Sequence, residues 1–232
     1  MEKLIYVLRS EEDPGDALRD ALLEKAVPGL RSAGARRLSV HVWDGSVSKG
    51  TGSRMANVSP HVQASVGFWM ENSDDRAPLE EILAAQSERI DGYLVVESVP
   101  ILSDARRDLA GERTHGFTLV TAITRSPSVS YDEFLRIWHN DHKRVASETQ
   151  GSFSYVRNTV VRPLTSDAPT WDGIVEEGFP IEALTDPEVW YDSPGDPEEY
   201  KRRLERMMTS CQRFLDLSKI DSHPMAEYLL PD

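Results

Sequence analysis

The sequence predicts an α+β protein made of two successive β-α-β-β-α-β units. Short apolar or alternating runs that suit strands recur in both halves. Helix-start signals stand before apolar stripes at helical spacing. A polar stretch at Ser103–Thr114 separates the first series from the second.

The first series opens on Lys3-Leu4-Ile5-Tyr6-Val7-Leu8, an apolar run expected of a buried strand. Asp13-Pro14 supplies a cap and a first-turn proline, and Leu18, Ala21, Leu22 and Ala26 follow on one helical face until Gly34. Leu38-Ser39-Val40-His41-Val42-Trp43 alternates as a half-buried strand does. Asp44–Ser53, rich in Gly and Ser, is expected to be a flexible loop. His61–Trp69 is the third strand, Pro78 opens a short helix with Leu79, Ile82 and Leu83, and Tyr93–Val99 closes the unit.

The second series starts with Phe117–Ile123. Its helix begins at Ser130, with Glu133 three residues on completing a capping box in which each side chain satisfies the other's backbone donor. Phe153–Val161 and Trp171–Phe179 are the next strands. Asp196-Pro197-Glu198-Glu199 starts the last helix by the same device, its stripe running through Tyr200, Leu204, Met207, Met208, Cys211, Phe214 and Leu215. Met225–Leu230 ends the sheet. Each unit has the order of a split βαβ, or ferredoxin-like, fold, so units at 1–110 and 115–232 are expected. A four-stranded antiparallel sheet with helices on one face must bury its bare face as well. Packing the two sheets face to face, as an intramolecular dimeric α/β barrel, does so.

Composition narrows the function classes. A formal net charge of −13 over 232 residues disfavours a nucleic-acid partner, which needs clustered Lys and Arg. Arg36-Arg37, Arg106-Arg107 and Lys201-Arg202-Arg203 are interspersed with acids. No window approaches the ~18 apolar residues of a membrane span. The N-terminus lacks a basic region followed by an apolar stretch, so a cytoplasmic protein with no membrane partner is expected. The single cysteine, Cys211, lies on a helical stripe and reads as a small core residue.

Three motifs follow one another in the second half. Tyr131-Asp132-Glu133-Phe134-Leu135-Arg136-Ile137-Trp138-His139-Asn140-Asp141-His142 contains a Trp-x-x-x-His step. Trp171-Asp172-Gly173-Ile174-Val175-Glu176 sets an aromatic residue, Asp and Gly before an acidic residue, and Phe214-Leu215-Asp216-Leu217-Ser218 ends the last helix. Over this half the chain resembles the EthD-like families of the dimeric α/β-barrel superfamily. The first half lacks the Trp-x-x-x-His and Trp-Asp-Gly motifs and reads as a degenerate repeat. The resemblance implies that this half takes the partner's role, a pseudo-dimer within one chain, with further homodimerisation open. It also implies chemistry without a bound cofactor on aromatic or polyketide-like compounds, as in cyclases, decarboxylases and some monooxygenases.

Phe134, Leu135, Trp138, His142, Val145 and Ala146 share one stripe of the predicted helix. An imidazole at His142 would move a proton to or from an enol or phenol, or else serve as a hydrogen-bonded structural histidine. His139 sits on the shoulder of that stripe as a second catalytic candidate. The His139-x-x-His142 pair has ligand spacing, but no third ligand is marked out, and no metal is expected. Asp172 is either the acceptor that orients His142 or a substrate hydroxyl, or a turn residue. Trp138, Tyr155, Trp171 and Phe134 are the candidate pocket walls. His41, His61 and His115 read as structural. Gly50 and Gly52 lie outside any strand–Gly-x-Gly-x-x-Gly–helix context, so they do not make a nucleotide loop. No Gly-x-Ser-x-Gly turn supports a hydrolase. Ala183–Gly195 is a lid over a site or a plain connection.

Two functional readings follow. One is a cofactor-independent enzyme using general acid/base chemistry on a small oxygenated, aromatic or polyketide-like compound. The alternative is a noncatalytic small-molecule binder or stress-related barrel protein. A haem-handling protein is a third, more distant reading.

Overall fold

Alternation along the strands gives each of them one apolar face toward a lumen and another toward the helices, and the chain closes into a barrel. A computed structural model describes residues 1–104 and 111–232. The predicted linker therefore lies partly, and Arg106-Arg107 wholly, outside the described residues. The strands are β1 (Glu2–Ser10), β2 (Arg36–Val42), β3 (His61–Met70), β4 (Arg89–Ile101), β5 (Phe117–Ile123), β6 (Ser154–Pro163), β7 (Gly173–Phe179) and β8 (Asp221–Leu229). They form one closed antiparallel barrel in the order β1-β3-β2-β8-β5-β7-β6-β4.

The expectation of two sheets stacked face to face needs correction at their edges. β2 pairs with β8, Val40 opposite Tyr228, and β4 pairs with β6, Val96 opposite Thr159. Two open sheets would leave four edges of unpaired N–H and C=O groups, and closure removes them all. The faces do meet across the lumen: Ile5, Val7, Tyr93 and Val95 pack against Val120, Ala122, Ile174 and Met225. The lumen also holds buried Lys3, whose Nζ is 2.5 Å from Glu97, 2.8 Å from the Asn158 side-chain oxygen and 3.7 Å from Glu176. A buried ammonium is tolerable only with such partners.

Among the described residues the helices are α1 (Gly15–Ala21), α2 (Val27–Ser32), α3 (Ala77–Ala84), α4 (Tyr131–Arg136), α5 (Lys143–Thr149), α6 (Pro187–Trp190) and α7 (Pro197–Gln212). A π-helical turn joins α1 to α2 at Leu22–Ala26, and another joins α4 to α5 at Ile137–His142. Among the described residues, no helix is long and apolar enough to cross a membrane. Only one side of each predicted capping box forms. Ser130 accepts from the Glu133 amide at 3.2 Å, but the Glu133 carboxylate turns to Arg136 at 2.8 Å. Asp196 accepts from the Glu199 amide at 3.0 Å while Glu199 pairs with Arg203 at 2.7 Å. Arginines one turn on compete for these half-buried carboxylates.

The two helix–sheet layers differ. In the first half Leu4, Tyr6, Val66, Phe68, Leu22 and Leu83 belong to one buried cluster, with the Tyr6 hydroxyl donating to Glu80 at 2.9 Å. In the second, Ile123, Phe134, Trp138, Tyr155, Val175 and Phe214 pack together but leave a hollow beside them. Asp44–Ser53, expected to be flexible, is docked: Val47 is buried among Phe117, Phe179 and Leu184, and Ser48–Ser53 forms tight helical turns.

Candidate functional site

The hollow is a cavity of about 670 Å³ between the outer face of β5–β7 and the helical layer. Its wall is mostly apolar, with Ile123, Val175, Phe214 and Leu215 at the base and Met207 and Met208 from α7 above. Ala183, Leu184, Pro187, Trp190 and Tyr191 supply a side wall. Trp190 stacks on Phe179 at 4.5 Å, so the stretch read as lid or connection is a packed wall. A pocket this size, apolar with a few polar groups, suits a drug-sized organic molecule.

Glu177 is the group that changes the chemistry of this cavity. It lies on β7 between Val175 and Phe179 in the row facing the helices, and its carboxylate makes no hydrogen bond or ion pair among the described residues. Burial alone raises its pKa from 4.5 to about 7, because the charged form loses its water. The corresponding outward row of β3 is Ala64, Val66, Phe68 and Met70, all buried hydrophobes, so the first half offers no such group.

His142 also lines the cavity. Its Nδ1 is 2.9 Å from the Ser210 hydroxyl and its ring packs against Phe214 at 4.9 Å. Burial, helped by the charge of Arg213, lowers its pKa to about 4 and keeps the imidazole neutral near neutrality. Tyr155 and Trp138 line the cavity together, the indole N–H donating to the Tyr155 hydroxyl at 3.2 Å. Burial, then the charge of Glu177, pushes the Tyr155 phenol well above its ordinary value. Tyr191 is raised as well, by burial, then by Cys211, Tyr200 and Glu177. Both stay protonated and able to donate. Cys211, expected in the core, faces the cavity; burial pushes its thiol up to about 12, which disarms it as a nucleophile.

The other predicted site residues lie elsewhere. Asp172 does not reach His142: its Oδ2 accepts from the Arg125 amide at 2.8 Å and its Oδ1 is 3.6 Å from the Arg125 guanidinium. His139 turns its Nε2 to Thr159 at 3.4 Å, its pKa lowered by burial and by Arg157, while His142 faces Ser210. The π-helical turn separates the two rings. Trp171 lies in the lumen, stacked on Tyr93 at 5.2 Å, because it precedes β7 and falls on the inward side. Phe134 is fully buried behind Trp138, at 5.4 Å between rings, and supports the wall without forming it. His41 is buried 3.2 Å from Glu227, and His61 and His115 are exposed.

Sequence reasoning missed Glu177. The signal was available: β7 places Val175, Glu177 and Phe179 on one side, and a carboxylate in an otherwise apolar row requires an explanation. It also missed Lys49, Gly52, Ser53 and Met55, which the first half contributes to this cavity. Nothing local in the chain announces that contact.

No family model matches the chain, and no curated protein matches it. Solved structures are similar. An anthrone oxidase-like protein aligns over 100% of this chain and 94% of its own at 10% identity, with a TM-score of 0.55. A variant chlorite dismutase from Candidatus Nitrospira defluvii covers 97% and 90% at 7% identity and TM-score 0.49. A Lactobacillus acidophilus protein provisionally assigned as a monooxygenase covers 97% and 93% at 10% identity and TM-score 0.46. The likeness to the first of these is one of fold: a mixed α+β chain with the same overall architecture as the anthrone oxidase-like protein.

Proposed function

We propose that the cavity is the active site of a small-molecule enzyme in which Glu177 carries a proton to and from an oxygenated, largely aromatic substrate. One observation carries this: a carboxyl without a hydrogen-bond or ion-pair partner among the described residues, with a pKa of about 7, in an apolar pocket. A base tuned to the working pH is what proton transfer requires. Ionised Glu177 takes an acidic C–H or O–H proton from the substrate. The electron pair left behind is an enolate or phenolate, and the protonated Tyr155 and Tyr191 hydroxyls donate to its oxygen. Neutral His142, held by Ser210, offers its other ring nitrogen to a substrate hydroxyl. Return of the proton from Glu177 to another atom completes an isomerisation or sets up loss of a leaving group. The motif resemblance to EthD-like domains supports the reading. So does the strand order, β4-β1-β3-β2 in one half and β8-β5-β7-β6 in the other, which we read as tandem ferredoxin-like repeats.

Deuterium exchange into the acidic CH2 of anthrone, followed by NMR, tests the proposal. The wild-type protein should catalyse exchange with a midpoint near the Glu177 pKa of about 7. Glu177→Gln should lose on the order of 10²–10⁴-fold. Equal exchange in both proteins leaves the noncatalytic binder as the better description.

A further inference from the structure

The cavity is electrically polarised, and its two charged walls come from different halves of the chain. Among its lining residues Glu177 is the one acid and Lys49 the one ammonium. Lys49 is exposed at the rim and makes no ion pair among the described residues.

The loop that carries Lys49 is fixed on both sides. Val47 is buried among Phe117, Phe179 and Leu184. Gly50 donates its amide to the Val47 carbonyl at 2.8 Å and lies so close to the wall that a Cβ there would stand 2.6 Å from Leu184 and 3.0 Å from Pro224. Met55 and Ser222 exchange both backbone hydrogen bonds at 2.8 Å. The sheet register relates the Glu177 strand to the Lys49 loop. Glu177 stands opposite Leu119 on β5, Leu119 stands opposite Pro224 on β8, and Pro224 touches the loop at Gly50. Two strand spacings, roughly 10 Å, therefore separate the Glu177 backbone from that of Pro224, on which the Lys49 loop rests.

We propose that Lys49 is a specificity residue that receives an acidic group on the substrate, a carboxylate or its equivalent, at the far end of an aromatic body from the atom that Glu177 deprotonates. This rests on the reading of the cavity as a substrate site. Opposite charges at the two ends admit one orientation only, because the carboxylate of the ligand is repelled by Glu177 and attracted by Lys49. The spacing suits a compound of two or three fused rings.

The test compares a hydroxynaphthoic acid, its two groups on opposite rings, with naphthol, binding being followed by quenching of the cavity tryptophans. The wild-type protein should prefer the acid about 2- to 5-fold, the scale of a rim ion pair. The preference should vanish in Lys49→Gln, reverse in Lys49→Glu, return in Lys49→Arg and shrink with added salt. Naphthol binding without preference for the acid, or a preference that survives Lys49→Gln, overturns this proposal and leaves the catalytic reading standing. Failure of both compounds to bind the wild-type protein overturns the two together.

Discussion

The six-membered ring of Trp138 lies over Gly173, where an added Cβ would stand 2.5 Å from the indole Cη2 and 2.9 Å from Cζ3. Two motifs separate in the sequence are thus one contact: Trp-Asp-Gly leaves the gap that the tryptophan of Trp-x-x-x-His fills. Fully buried there, Trp138 directs its N–H to Tyr155 at the cavity wall.

Gly173→Ala should therefore cost about 1–3 kcal/mol by overpacking and shift the Trp138 emission as the indole loses its place beside Tyr155. In the Trp138→Phe background the same substitution should cost less, because the obstructing ring is smaller. Denaturant unfolding of the four proteins gives the coupling; strictly additive costs would deny the contact its role.

Glu177 makes the fold less stable as it ionises. Its folded pKa of about 7 lies above the ordinary 4.5, so its contribution is fully present below 4.5 and is lost as pH rises through 7. Glu177→Gln should exceed the wild type in stability by about 1–3 kcal/mol near pH 8, and the two should converge in acid. A variant that loses exchange activity while gaining stability behaves as a strained catalytic group does. A Gln variant no more stable than wild type near pH 8 would show the carboxylate to be solvated or paired.

The architecture was legible because both periods were clean: β5 falls at the predicted Phe117–Ile123, and Ser130 and Asp196 do cap their helices. A barrel was legible from the two bare sheet faces, but the edges that close it were not, since pairing of β2 with β8 and of β4 with β6 joins strands far apart in the chain. Trp138, Tyr155 and His142, singled out by the apolar stripe and strand alternation, line the cavity. Trp171 falls in the lumen and Asp172 takes the turn role that was its alternative, because both precede β7, where alternation does not yet hold. Glu177 is hidden in the sequence behind Glu176, the acidic residue that ends the Trp-Asp-Gly motif and points into the lumen toward Lys3.

His142 opposes Glu177 in acid. Its folded pKa of about 4 lies below the ordinary 6.5, so the neutral ring stabilises the fold above 6.5 and that contribution is lost as pH falls toward 4. His142→Phe removes the Ser210 hydrogen bond, at about 1 kcal/mol near pH 7.5, but should lose less stability than wild type between pH 6.5 and 4. Parallel pH profiles for the two proteins would show that the ring titrates as it does in water.

Asp172 tests the division between structure and chemistry. Its amide donates to Ile123 at 2.9 Å, its carbonyl accepts from Val160 at 3.1 Å, and its carboxylate holds the Arg125 amide at 2.8 Å. One residue thus ties the ends of β5, β6 and β7, and none of its atoms lines the cavity. Asp172→Asn keeps one acceptor oxygen for the Arg125 amide and should cost about 0.5–1.5 kcal/mol, whereas Asp172→Ala leaves that amide unpaired and should cost more. Anthrone exchange per folded molecule should stay within a few-fold of wild type in both, against the much larger loss expected for Glu177→Gln. A collapse of exchange in a well-folded Asp172→Asn would return this carboxylate to the catalytic centre and displace Glu177 from it.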